Sequence, residues 1–570
     1  MLTRNKTLLF LFAMLAMICI FIACNLSHTK NNFSDDAVVI HKGDSLFIQY
    51  CSGCHNFKQD GIGPQLSGIT KTETQTQLLA FIKNPNSVIQ SGDMHAEQLY
   101  SHYKTLMPSF SVLEDDNINA IIAYINTYKN ASGVKDDTSN AVTNPIPAKI
   151  QLSNIVVSMQ KIIQIPASSD SGKKPLARIT KLSIQPQTGK MFIVDLRGKL
   201  YFIENGKAVV YMDMQKLRPH FINQPGLATG FGSFAFHPDF ASNGLFYTTH
   251  AEAAGSAKAD FALPDSIKPA LQWVLTEWKA DDPNAGVFKG TGRELLRIDF
   301  VSGIHGVQEI AFNSSAHKGD TDYGLLYMGV GDGGAVENGY PFLPHNKQNV
   351  WGTILRIDPR GNNSTNGKYG IPQSNPFVKN TDSTLKEIYA YGFRNPHRFS
   401  WTHTGQMIAC NIGQAKIESV DYIFPGHDYG WPIREGYFML HPNGDLGKVY
   451  PLPRDDSSYH ITYPVAMFDH DEGKAICGGF EYTGNAISAL KNKFLFGDIY
   501  SGRLFYINMA DIKQGKPATV SEWKVSLNGK QESLQKICND DRVDLHFGKD
   551  DEGNIYILTK ADGNIYKLGN

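Results

Sequence analysis

Five consecutive residues, Cys51-Ser52-Gly53-Cys54-His55, constrain this chain more than any other stretch. The spacing C-x-x-C-H is that of a c-type haem attachment site. Two thiols add across the porphyrin vinyl groups, and the next residue offers its imidazole to the iron. A thiol redox pair would want a βαβ setting, and zinc would want a second ligand pair nearby. Neither pattern surrounds this stretch. The chain is therefore expected to carry an electron-transfer group, and whatever precedes or follows has to supply or drain it.

At 570 residues, two or more domains are expected. Lys+Arg number 54 against 55 Asp+Glu, so nothing favours nucleic-acid binding or electrostatic docking on anionic lipid. The 52 glycines, frequent aromatics and modest charge suit a β-rich fold with many tight turns. Seven cysteines include Cys19 and Cys24 near the start and the Cys51/Cys54 pair. Cys410, Cys477 and Cys538 form no motif and read as buried thiols or one bridged pair plus a free thiol.

Residues 1–24 read as an export signal: Arg4 and Lys6 precede an apolar run from Leu8 to Ile22. The end, Phe21-Ile22-Ala23-Cys24, resembles a bacterial lipobox, which makes Cys24 the lipid-modified mature N-terminus. An uncleaved membrane anchor is the competing reading. Either one implies an exported protein on a membrane tether, in the periplasm or at the cell surface. Residues 25–38 are a polar tether. Residues 39–130 form the haem segment, with a short helical stretch from Gly43 to Tyr50, a turn-rich loop from Gly61 to Gly68, and Leu106-Met107-Pro108 ahead of a helix from Glu114 to Tyr128. In that helix Ile118, Ile121, Ile122 and Ile125 fall at helical spacing. Residues 131–150 are a Ser/Asn/Asp/Thr/Pro-rich linker.

From 151 to 570 the pattern is short period-two strands between Gly and Asp turns. Met191–Val194 turns through Arg197-Gly198 into Leu200–Ile203, and Asn554–Leu558 turns through Asp562-Gly563 into Asn564–Tyr566. Regular hairpins over so long a stretch argue for an all-β propeller.

The order of features in 39–130 resembles small class I cytochromes c. That resemblance makes Cys51 and Cys54 the covalent haem anchors, His55 the proximal iron ligand and Met107 the distal one. Met94, His95 and His102 are the rivals for the sixth position. A thioether ligand raises the haem potential, which suits an electron acceptor.

Eight stretches of the second part, in order, resemble the glucose/sorbosone dehydrogenase family. They include Phe234-Ala235-Phe236-His237-Pro238-Asp239-Phe240, Gly331-Asp332-Gly333-Gly334, Phe393-Arg394-Asn395-Pro396, Ile412-Gly413-Gln414 and Ser501-Gly502-Arg503. The resemblance covers most of 176–570. It implies a six-bladed propeller holding pyrroloquinoline quinone (PQQ) and Ca2+ in one mouth. It gives His237 the role of general base, Asp332 that of orienting the base, and Arg394, Asn395 and Arg503 contacts to the quinone. Gly413 and Gln414 would bind calcium through backbone carbonyls. Taken alone, the same residues have plainer readings. His237 is then a turn histidine capped by Asp239, Asp332 a turn carboxylate, Arg394 half of a buried ion pair, Arg503 a solvated strand end, and Gly413-Gln414 a turn. Where the family often has H-N-G-G, this chain has His305-Gly306-Val307-Gln308. Its 412–421 region is closer to a branch that includes hedgehog-interacting-like proteins.

The expectation is a small all-α cytochrome c domain followed by an all-β six-bladed propeller. It would oxidise a sugar, polyol or other alcohol at PQQ and pass electrons through the haem to an external acceptor. Two alternatives use the same fold without the quinone: a glycan- or protein-binding module, and a calcium-dependent hydrolase or lactonase.

Overall fold

The computed structural model describes residues 33–103, 106–130, 139–169, 174–224, 228–414 and 416–569. The expected export signal, with Cys24, lies outside these residues. Among the described residues no helix is long and apolar enough to cross a membrane.

The haem segment is helical. Helix Ala37–Tyr50 begins where the Asp36 carboxylate accepts the Val38 N–H. It runs earlier than the Gly43 start expected from sequence, because capping rather than apolar spacing sets its first turn. It packs across helix Asp115–Asn126, whose buried face is Ile118, Ile121, Ile122 and Ile125. The crossing is close: a Cβ on Gly43 would sit 1.9 Å from the Ala120 carbonyl oxygen, so only glycine fits. Three further helices, Gln75–Lys83, Pro85–Gln90 and Met94–Tyr103, fill the interval that sequence periodicity left unread. A Thr74/Gln77 capping box starts the first of them.

Among the described residues the rest is mainly β: three four-stranded antiparallel sheets, a two-stranded ladder, and one thirteen-stranded sheet in which parallel pairings join three further antiparallel units of four strands. Met191–Asp195 pairs with Lys199–Glu204 as the sequence pattern anticipates. The units begin with strands Ile179–Ile184, Phe231–Phe236, Glu309–Phe312, Pro396–Trp401, Ile476–Glu481 and Leu545–Lys549. Each of these first strands lies against the first strand of the next unit, and Leu545–Lys549 lies against Ile179–Ile184. They therefore face a common centre. Strand Gln151–Gln164 pairs in parallel with Ser521–Leu527 and antiparallel with Asn564–Gly569, so the two ends of the domain share one sheet. The end of the linker is also ordered onto this domain: Val142 bridges Val449, and the Ile146 N–H reaches Asp469. Cys410, Cys477 and Cys538 are buried free thiols.

Candidate functional site

Cys51, Cys54, His55 and Met107 line one cavity of about 380 Å3 whose walls include Leu78, Phe81, Ile82, Leu99, Ile121 and Ile125. The His55 Nδ1 lies 2.8 Å from the Pro64 carbonyl oxygen, which fixes the ring and leaves Nε2 for a metal. A Cβ on Gly63 would meet the His55 ring at 2.5 Å, so the turn-rich loop is glycine where it cradles the imidazole. Burial pushes both thiols up to about 12, Cys54 further helped by Glu337. Thiolate chemistry, whether zinc binding or disulfide exchange, is thereby disfavoured. The cavity suits a large apolar group anchored at those sulfurs. Of the rival sixth ligands, Met94 is 77 % exposed. His95 also lines the cavity but is more than half exposed, 3.8 Å from Glu73, and His102 is exposed.

The attachment segment does not face open water. A Cβ on Gly53 would come within 3.1 Å of Ile304, a residue of the β domain. Asn338 donates to the Ser52 carbonyl at 3.3 Å and to the Gly334 carbonyl at 2.8 Å. Gln59 accepts the Leu446 N–H, and Asp44 pairs with Lys268 at 2.7 Å. The helical segment is seated on loops of the β domain around Lys268, Ile304, Asn338 and Leu446.

Beneath this contact, residue 305 brings an imidazole to Asp332. The His305 Nδ1 lies 2.7 Å from Asp332 Oδ1, and the Trp431 indole donates to Asp332 Oδ2 at 3.0 Å. Gly334 N–H supplies a third hydrogen bond to the carboxylate. Burial alone would raise the Asp332 carboxyl, but His305, its hydrogen bond and Arg394 outweigh it and hold the group below its ordinary value. His305 Nε2 has no hydrogen-bond partner among the described residues. The residue sits at φ +48°, a left-handed conformation that a non-glycine side chain adopts at a cost of about 1–3 kcal/mol. Close packing enforces it: a Cβ on Gly306 would meet the Trp273 indole at 2.2 Å, and one on Gly331 the His305 carbonyl oxygen at 2.2 Å.

His237 is elsewhere. It follows strand Phe231–Phe236, and its ring packs on Phe312 at 5.4 Å. His305 precedes strand Glu309–Phe312, so the two imidazoles lie at opposite ends of that strand. The His237 Nδ1 takes the Asp239 N–H at 3.0 Å and faces Asn243 at 2.8 Å, and burial keeps the ring's pKa low. The structure thus corrects the pairing of His237 with Asp332: the carboxylate orients His305 instead. The signal was in the sequence. His305 retains the first position of the H-N-G-G pattern, and the changed residues after it drew attention away.

Arg394 is buried and spans Glu337, Gln414 Oε1 and the Gly413 carbonyl, with its guanidinium 5.7 Å from the Trp431 ring. Asn395 is tied through its backbone to Asn411 and Ile412. Calcium fits poorly at the Gly413 carbonyl, because the Arg394 guanidinium already donates to it and would repel a second cation; at Gln414 the guanidinium takes the side-chain amide oxygen. Arg503 is likewise corrected: Glu472 and Glu522 take its guanidinium from both sides, leaving no free donor pair for a quinone.

A helical haem-type pocket seated on an all-β domain defines a two-domain protein of the redox class. Residues 40–129 match the cytochrome c family model, and 176–567 match that of glucose/sorbosone dehydrogenase. The chain belongs to the glucose/sorbosone dehydrogenase family, with a cytochrome c domain ahead of it. It is 28 % identical over 324 residues to the HIPL2 protein of Arabidopsis thaliana, a match spanning 50 % of this chain and 44 % of that one. Against quinoprotein glucose dehydrogenase B of Acinetobacter calcoaceticus it is 22 % identical over 406 residues, 61 % of this chain and 76 % of that one. It thus spans about half the length of the plant relatives it matches. A crystal structure of a glucose dehydrogenase superposes with a TM-score of 0.51 at 16 % identity, covering 72 % of this chain and 99 % of that one. That likeness establishes the shared fold.

Proposed function

We propose that this protein oxidises a sugar or related alcohol at a quinone held in the mouth of a six-bladed propeller, and passes the electrons to its own haem. The observation that carries the reading is the contact of Gly53 with Ile304. It puts the haem attachment segment one residue from His305, the imidazole oriented by Asp332. His55 and Met107, which line the cavity, would hold the iron, with Cys51 and Cys54 as thioether anchors.

The quinone, when bound, supplies the hydride acceptor, and the haem supplies the one-electron outlet. The protein's own part is to position and to move a proton. His305 Nε2 is open to accept the substrate hydroxyl proton, while Asp332 holds Nδ1–H and stabilises the charge the ring then carries. Trp431 fixes the carboxylate's second oxygen, so the pair cannot rotate out of alignment. Arg394, fixed by Glu337 and Gln414, presents positive charge beside the Trp431 face. Asn395 sits beside it. Both members of the His305–Asp332 pair are buried, which strengthens their interaction.

The test uses the haem-loaded protein with added PQQ. Haem reduction, followed at its absorption band on adding aldoses, should require both PQQ and substrate. Reduction without PQQ, or none with any aldose or polyol, overturns the reading. One observation favours a second reading, a binding module: Arg394, the residue expected to face the quinone, is consumed by protein acceptors. In that case the protein binds its partner with no change in the haem band.

A further inference from the structure

Below His305 the centre of the β domain holds a cluster that the proposed chemistry does not use. His397 is the bulge residue of strand Pro396–Trp401, where the pairing register shifts between Pro396 and Arg398. A bulge re-aims the side chain. His546 lies on the inner strand Leu545–Lys549. These strands belong to different units, yet the two rings come within 5.6 Å of each other. Lys560 follows strand Ile555–Thr559 and is 7 % exposed.

Their polar atoms are unsatisfied. His397 Nδ1 and both His546 nitrogens are buried with no hydrogen-bond partner, and both residues are more than nine-tenths buried. The Lys560 ammonium has no hydrogen-bond partner among the described residues. Charges felt by the His546 ring are those of Lys560, Arg398 and His397, all positive when charged, and His397 feels Arg398, Lys560 and His305. Burial, with Arg178, Arg542 and Arg398, brings Lys560 down to about 8 against the pull of Asp544. Both imidazoles are held neutral by burial and by these cations. Nitrogens in such a setting are costly unless an acceptor meets them. A metal cation is repelled by Lys560 and Arg398. A carboxylate takes an N–H from each neutral imidazole and pairs with the ammonium, which satisfies the cluster at one stroke.

We infer that Lys560, His397 and His546 form an anion-binding floor beneath the mouth that takes a carboxylate group. His397 is three residues from Arg394 in sequence and its backbone N–H reaches the Asn395 carbonyl at 2.7 Å, so the floor adjoins the proposed quinone site. The inference rests on that reading for one source of the carboxylate, the quinone's own acid groups. A free small carboxylate is the other source.

The experiment titrates PQQ into the full-length haem-loaded protein by tryptophan-fluorescence quenching, with and without formate, and records thermal melts in formate alone. Lys560→Gln is compared with the native chain, and its haem spectrum and circular dichroism verify folding. The expected result is at least a tenfold weaker PQQ affinity in K560Q, with formate competing in the native protein and not in the variant. Equal PQQ affinity in K560Q overturns the floor while leaving the quinone reading intact. If the native chain binds no PQQ but formate raises its melting point, and not that of K560Q, the floor stands and the quinone reading falls. Should K560Q not fold, the native protein decides alone: no effect of formate on either PQQ affinity or melting overturns the inference.

Discussion

The two domains of this protein assemble their chemistry in opposite ways. In the helical domain the reactive atoms are contiguous: Cys51, Cys54 and His55 lie within five residues, and the fold wraps a cavity around them. In the β domain His305, Asp332, Arg394 and Trp431 come from four separated loops, and only the converging strands bring them together. A covalent attachment writes its requirement into local sequence. A site in a ring of strands needs only that each loop end near the axis, which leaves a weaker local trace.

The sharpest break between the two is expected at the attachment residues. Replacing Cys51 and Cys54 together by serine should abolish covalent haem entirely, read as loss of the pigment after denaturing extraction. The β domain's strands do not depend on either sulfur, so that domain should retain its far-ultraviolet spectrum.

Next in size is the pair of histidines. His305→Asn should lower substrate-dependent haem reduction by about a hundred- to ten-thousand-fold, the range for losing a general base. His237→Asn should leave that rate unchanged. The reverse result would return the base to His237 and undo the assignment made from Asp332.

The contact between domains is tested by Gly53→Leu. The added side chain meets Ile304, where a Cβ alone would already be at 3.1 Å. Forced overpacking costs about 1–3 kcal/mol, so docking should weaken roughly tenfold or more. Haem reduction should slow by that factor while reduction of a soluble dye by the β domain persists. An unchanged haem rate would mean that electrons reach the iron by another face.

A separate variant, His237→Leu, which keeps apolar bulk but has no acceptor, has a smaller effect of its own. Loss of the Nδ1 acceptor for the Asp239 N–H should cost about 1 kcal/mol of stability, measurable as a shift in denaturant midpoint. Smallest per group is the pH effect. Burial lowers the pKa of His237, His250, His397 and His546 in the folded state. The unfolded chain therefore binds more protons below about 6.5. Stability present at pH 7 should decline as pH falls from there towards 5, seen as a lower melting temperature. A melting point that rises over this range would contradict neutral burial of these rings.

Much of the architecture was legible beforehand. The isoleucine spacing in 118–125 located the helix Asp115–Asn126, and the hairpin at Asp562-Gly563 was visible from turn residues. Helices without strong apolar periodicity, such as Met94–Tyr103, were not. At the site, Asp332 and Arg394 were singled out separately, and the fold joins them through the Asp332 N–H and the Arg394 carbonyl at 2.8 Å. Their partners were missed: Glu337 and Trp431 carry no motif, and His305 was read as a departure. The plainer readings of His237 as a capped turn residue and of Arg394 in a buried ion pair match the geometry.

Sequence alone determined where a porphyrin must be attached, because covalent chemistry demands fixed residues at fixed spacing. It also determined the all-β character of the remainder, because alternation and turn residues act locally. Only the tertiary structure decided which histidine Asp332 orients, that the Arg394 guanidinium takes the Gly413 carbonyl and the Gln414 side chain, and that the attachment segment rests against Ile304. Those outcomes depend on distances between loops far apart in the chain, and such distances are set by how strands pack round a common centre rather than by neighbouring residues.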